Sequence, residues 1–420
     1  MGLLNGLMKS IKTDTERFGK SETKCTFRTG ICSLDFLNAQ KIKGNDGEIS
    51  RFYGLNAGAP TMIIGKSGTG KTTIAIQLGY NIIKKYDEGQ MYILDFENGT
   101  SKERIMQLTG CSNEYFNEHF DLKQVNIYTE TILNLVNDIH EAKMKYAKEL
   151  MVDNAEGLKD PETGKIIKVL PPTIIMIDSW AMMSPRDFAS TKEKDFNADT
   201  HPMKEAKITK AIFKQIVQPC KEANIIILST NHINDNISTG VTPPVSILRY
   251  LKNTESLPGG KALAYVTDSL IKIEAAEKLD DRDDKNVYGV KGFKANIVLV
   301  KSRLAPAGRN IVGIFSQDLG FDEILCGFEL LKQFGGITGT GSYALAHHPE
   351  VKFRLRELKT KYAENAEFRK AFDDEVEQTG DALVKVMTRE ELNNLENTNH
   401  NDLKEAELED TAVETKEEAK

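Results

Sequence analysis

From about residue 58 to 330, runs of consecutive apolar residues alternate with stretches whose apolar positions recur every three or four residues. Met62-Ile63-Ile64 is the first run; after a glycine-rich loop, Ile74, Leu78 and Ile82 fall at helical spacing. Met91-Tyr92-Ile93-Leu94-Asp95 follows, then a charged helical stretch from Lys102. Ile174-Ile175-Met176-Ile177-Asp178 and Ile225-Ile226-Ile227-Leu228 repeat the theme. A continuously apolar strand needs cover on both faces, and the intervening helices supply it. The pattern predicts an α/β fold with a mainly parallel twisted sheet flanked by helices. Leu270 to Ile273, Ala295 to Val300 and Ile311 to Phe315 come close together. Their short connections predict an antiparallel extension of that sheet.

Three polar interruptions break the alternation. Residues 153–168, with Asp160-Pro161-Glu162-Thr163-Gly164, read as an exposed hairpin or loop insertion. Residues 185–202 and 233–259 are long polar segments beginning just after strands, and connections of that length in a compact domain are usually functional. At the N-terminus Leu3, Leu4, Leu7, Met8 and Ile11 share one helical face. Packing on its own domain and docking on a neighbouring subunit both remain open for that helix. Residues 345–395 read as a charged helical lobe, and the last 20 or so lack aromatics, which predicts disorder.

Composition narrows this only slightly. No stretch has the apolar length of a membrane span, and the start carries neither a signal-peptide layout nor a myristoylation pattern, which predicts a cytoplasmic protein with no membrane partner. Five scattered cysteines suit a reducing compartment. Net charge is −7, but residues 402–420 hold eight acidic and three basic side chains, leaving −2 for the rest. A local basic surface is therefore compatible with the balance.

The chemistry starts at Gly65-Lys66-Ser67-Gly68-Thr69-Gly70-Lys71-Thr72, which matches G-x-x-x-x-G-K-[ST] between a strand and a helix and runs on to Thr73. Glycines let backbone N–H groups converge on phosphate oxygens, aided by the helix N-terminus. Lys71 would neutralise β- and γ-phosphates, and Thr72 would bind Mg²⁺. By itself the loop means ATP or GTP. Asp178, ending a buried strand expected to neighbour the loop's strand, could hold the same Mg²⁺. Glu97, just past the strand ending in Asp95, is suited to orient and deprotonate water, though a surface glutamate is equally compatible with its position. Asn231-His232 ends another strand where a side chain could sense the γ-phosphate. Lys301 and Arg303, one residue apart, would point to one side of a strand end; fixed cations stabilise charge in phosphoryl transfer, often from a neighbouring subunit. Arg186, Phe188, Lys192, Lys194 and Phe196, then Arg249, Tyr250 and Lys252, mix cations with aromatics as a single-strand-binding surface does. Any polar loop could show the same composition.

The order and spacing of several segments resemble the RecA-type recombinases, closest to the phage UvsX-like branch, from about residue 10 to about 345. The segments are Glu16-Arg17-Phe18-Gly19-Lys20, Thr29-Gly30-Ile31-Cys32-Ser33-Leu34-Asp35, Asp95-Phe96-Glu97, Ile177-Asp178-Ser179, Asn231-His232, Gly259-Gly260-Lys261-Ala262-Leu263 and Val300-Lys301-Ser302-Arg303. The resemblance implies an ATPase using ATP and Mg²⁺, helical filaments on single-stranded DNA, and exchange with a homologous duplex. It implies DNA contact through 185–202 and 233–259, the second closed by Gly259 and Gly260. It also implies that Lys301 and Arg303 reach a neighbour's ATP, and that phage loader and single-strand-binding proteins are partners. The corresponding division is an N-terminal oligomerisation segment at 1–50, a RecA-like core at 51–335, a C-terminal helical lobe at 336–396 and an acidic tail at 397–420. Arg104 stands where the family usually stacks an aromatic on adenine; its guanidinium plane can stack instead. The insertion at 153–168 has no family counterpart. A hexameric replicative helicase motor and a non-catalytic recombination mediator are the competing expectations. The glycine-closed loop and Glu16–Lys20 segment favour a recombinase over the first, and intact Glu97, Lys71, Thr72 and Asp178 argue against the second.

Overall fold

A computed structural model describes residues 25–186, 201–235, 248–258, 266–280, 282 and 286–387, without the side chains of 201–206. The segment expected to form an N-terminal helix, the 397–420 tail, Lys192, Lys194, Gly259 and Gly260 lie outside the described residues.

In chain order the elements that matter are β1 (Ala39–Lys43), β2 (Ile49–Tyr53), β3 (Thr61–Gly65), α1 (Lys71–Ile83), β4 (Gln90–Asp95), α2 (Lys102–Thr109), β5 (Phe120–Lys123) and α3 (Thr129–Lys145). Next come β6 (Thr173–Asp178), α4 (His201–Glu222), β7 (Ile225–His232), β8 (Ser269–Leu279), β9 (Gly292–Ser302), β10 (Asn310–Ser316), β11 (Gly320–Phe321), α5 (Glu323–Phe334), α6 (Ala366–Ala382) and β12 (Val386–Met387). One nine-stranded sheet runs β11-β10-β9-β8-β3-β7-β6-β4-β5. The strands from β8 through β5 pair in parallel, while β9, β10 and β11 extend it antiparallel. This is the expected α/β architecture. The runs read as 225–228, 270–273 and 295–300 were too short because polar residues near the strand ends still pair in the ladder.

The continuous apolar strands divide between two cores. Ile63, Ile174, Met176, Ile226 and Leu228 pack with Ile74, Leu78 and Ile82 of α1. Met62, Ile64, Ile175, Ile177, Ile225 and Ile227 pack on the other face with Ile132 and Val136 of α3 and Phe213 and Ile216 of α4. Alternate side chains thus serve opposite layers, each contributing roughly 1.5–3 kcal/mol when fully buried. A third core centres on Phe328, Phe353 and Phe372, joining α5 to α6.

The β1–β2 hairpin crosses residue 50, where the N-terminal segment was expected to end, and β12 adds to β1 in parallel. Asp381 of α6 accepts from Lys41 at 3.0 Å and Arg51 at 2.8 Å, and from the Tyr53 hydroxyl. The insertion is a hairpin, Val152 and Asp153 pairing with Val169 and Lys168. It is less exposed than expected: Leu158, Ile167 and Val169 are buried in the main core, and Ser50 donates to the Lys159 carbonyl.

Candidate nucleotide site

The register places the phosphate-binding elements in a row. His232 of β7 stands beside Gly65, and Asp178 of β6 beside Asp95 of β4. Asp178 therefore ends a strand one removed from the loop's strand, not its neighbour as expected, because β7 lies between. That intervening strand supplies Thr230, a residue the sequence reading missed.

From Gly65 the chain turns through Lys66, Ser67, Gly68 and Thr69 into α1. Gly70 has φ +71, and any Cβ there would collide with the Phe315 ring, so only glycine suits the turn. Thr69 Oγ1 and Lys71 Nζ both donate to the Lys66 carbonyl, at 2.9 and 3.0 Å, closing the loop. Thr73, on the first turn of α1, faces Gly320. Burial pulls Lys71 below the ordinary lysine range, opposed by Glu97 and Asp178.

Thr72 Oγ1 donates to Asp178 Oδ2 at 2.7 Å, and Thr230 Oγ1 to Asp178 Oδ1 at 2.5 Å. Burial pushes the Asp178 carboxyl up despite those donors, with Glu97 and Asp95 adding repulsion. A hydroxyl and a buried carboxylate side by side, the latter oriented by a further donor, fit a hard divalent cation. Phe96 N donates to the Asp178 carbonyl at 2.7 Å, bringing the next residue, Glu97, alongside. Glu97 Oε1 accepts from Ser179 Oγ and lies 3.2 Å from His232 Nε2. Burial alone would raise Glu97, but those two partners outweigh it and hold the carboxyl below its usual range. The sequence named Ser179 only as part of Ile177-Asp178-Ser179, without a role; its contact with Glu97 depends on the β4–β6 pairing.

The remaining candidates disperse. Arg104 donates to the carbonyls of Gln317 at 2.7 Å and Asp318 at 3.3 Å, tying α2 to the turn before β11. Lys301 pairs with Leu270, and Ser302 with Ser269, which itself stands opposite Thr61. The cation pair thus lies toward the opposite end of β3 from Gly65, about 10–13 Å back along the strand direction at roughly 3.3 Å per residue, and two strands to the side. Lys301 Nζ donates to the Thr267 carbonyl at 2.7 Å, and burial, with Arg303 nearby, pulls it down to about 8. Arg186 is fastened at the start of α3, its backbone donating to Glu130 and its guanidinium 5.3 Å from the Tyr128 ring centre. Lys252 pairs with Glu274 at 3.0 Å, and Arg249 is exposed.

Against known proteins, a family model described as ATPase: KaiC matches residues 27–241, just over half of the chain. The chain belongs to the KaiC-type ATPases. The matched span covers the phosphate loop, Glu97, Asp178 and His232. This KaiC-type ATPase is also similar to Protein RecA of Ureaplasma parvum serovar 3, 24% identical over 333 residues, 76% of this chain and 80% of the relative. To Protein RecA of Aquifex aeolicus it is 22% identical over 218 residues, 49% of this chain and 56% of the relative. Together these make it a RecA-related P-loop ATPase, for which nucleotide binding follows. Among the described residues no helix is long and apolar enough to cross a membrane.

Proposed function

We propose that this KaiC-type ATPase is a DNA-dependent recombinase of the UvsX-like phage branch. In this reading it assembles as a helical filament on single-stranded DNA and exchanges strands with a homologous duplex. The observation that carries the reading is the separation of Lys301 and Arg303 from their own phosphate loop by the length of β3. Cations at that end cannot serve the same protomer's nucleotide, but a neighbour stacked head to tail can receive them. ATP would then sit between subunits, so only the assembled filament completes the charge needed at the γ-phosphate.

Within one protomer, Lys71 and the loop from Gly65 to Thr73 hold the phosphates. Thr72 and Asp178 would hold Mg²⁺, which supplies charge neutralisation across the β- and γ-phosphates when bound. Glu97 orients and deprotonates the attacking water, and His232, in contact with it, reports the γ-phosphate to the chain beyond β7. Arg104 would stack on the base through its guanidinium plane. Arg186, Lys192, Lys194, Arg249, Lys252, Gly259 and Gly260 belong to the DNA-contacting segments. Phage loader and single-strand-binding proteins would be the partners, in the host cytoplasm. The division at residues 50, 335 and 396 belongs to the same reading.

The test incubates the protein with ATP and single-stranded DNA, images the product and assays joint molecules with homologous duplex. Helical filaments and joint molecules are expected. Closed rings without joint molecules would replace this reading with a helicase motor, and absence of DNA-stimulated hydrolysis would replace it with a mediator.

A further inference from the structure

Two ion pairs root the chain that leaves β7, and they differ in kind. Asn234–Asp235 pairs antiparallel with Glu255–Ser256, Asp235 standing opposite Glu255. The Glu255 carboxylate receives Lys272 Nζ at 2.7 and 2.9 Å, with side chains 4% and 3% exposed, and accepts the Lys252 backbone N–H at 3.0 Å. Lys272 lies on β8 directly beside Ile64, the residue before Gly65. Breaking such a pair would strand a buried charge, so it acts as a fixed anchor. Through the two-residue ladder it fixes Asp235 beside the phosphate loop.

The other pair joins Lys66 Nζ to Asp235 Oδ2 at 2.8 Å, with side chains 60% and 62% exposed. Water screens an exposed pair, which therefore yields readily to a stronger ligand. Lys66 belongs to the loop whose backbone faces phosphates, and a polyphosphate presents more negative charge than one carboxylate.

We infer that Asp235 is a positioning residue for Lys66: it holds that ammonium at the mouth of the phosphate loop and competes for it with the polyphosphate of bound nucleotide. The competition is reciprocal, so nucleotide binding weakens the Lys66–Asp235 contact by the factor that the contact weakens nucleotide binding. Asp235 thereby senses phosphate occupancy by a route separate from Glu97 and His232. The inference rests on the phosphate-loop reading.

Binding of ATP and ADP with Mg²⁺ to the full chain, measured by calorimetry at low salt, tests it. Asp235→Asn should tighten ATP binding about two- to fivefold, the range expected of one exposed pair. Asp235→Glu should return affinity toward wild type, which a merely structural lesion would not allow. In a Lys66→Met background the Asp235→Asn shift should vanish, and higher salt should shrink it. Equal affinity in Asp235→Asn and wild type, or an identical shift without Lys66, would overturn the inference alone. Failure of the wild-type protein to bind nucleotide would overturn the phosphate-loop reading as well.

Discussion

Glu97→Gln isolates one step of the proposed hydrolysis. Ser179 and His232 both meet Oε1, and a glutamine carbonyl oxygen can accept from each in the same place. The substitution therefore keeps the side chain's position and volume while removing its capacity to take a proton. Positioned general bases contribute about 10²- to 10⁴-fold, so the barrier should rise by roughly 3–5 kcal/mol. Phosphate contacts through Lys71 and Thr72 do not pass through this carboxylate, so the loss should fall on turnover much more than on nucleotide affinity. The assay is steady-state phosphate release with saturating single-stranded DNA, run beside a nucleotide titration of the same protein. Because its partners hold the carboxyl below the ordinary 4.5, Glu97 stays ionised through the neutral range. Its base form is lost only as pH falls through that depressed value. Turnover within threefold of wild type would refute the assignment and leave Glu97 a structural partner of His232.

Other outcomes follow from the same geometry. Lys71→Met and Lys301→Met should each lose most turnover, yet mixing them should recover part of it at interfaces that pair an intact loop with an intact cation; no recovery in the mixture would place both on one protomer. Since Lys301 sits near 8, its charge is lost as pH rises through about 8. Turnover should decline there, and Lys301→Arg should shift that alkaline limb upward. Lys143, donating to the Pro171 and Ala223 carbonyls, is pulled by burial from the ordinary 10.5 to about 7. Between those values the unfolded chain binds the extra proton, so stability should rise with pH, by on the order of 5 kcal/mol in total. Urea melts at pH 7 and 9.5 would show it, and Lys143→Met should flatten the difference. Thr230→Val removes a donor from Asp178 and should cost about 1.5–3 kcal/mol of stability while altering Mg²⁺ affinity in a titration.

What the chain determines locally was legible before any coordinates. A glycine-rich turn between an apolar strand and a helix has one common use, because backbone N–H groups can converge only where side chains are absent. Continuous apolar runs such as Ile174–Ile177 imply cover on both faces, and the two cores split these residues alternately. Strand order was not legible, because parallel strands joined by long crossovers carry no local signal of which will be neighbours. Only the tertiary structure put β7 between β3 and β6, bringing Thr230 onto Asp178, and paired β4 with β6, bringing Ser179 onto Glu97. It also decided which end of the sheet each candidate occupies. The resemblance implied that Lys301 and Arg303 serve a neighbour's ATP, but only the antiparallel turn of β9 shows that they lie toward the far end of β3 from Gly65. Direction along a sheet belongs to the pairing of distant segments, and spacing along the chain does not encode it.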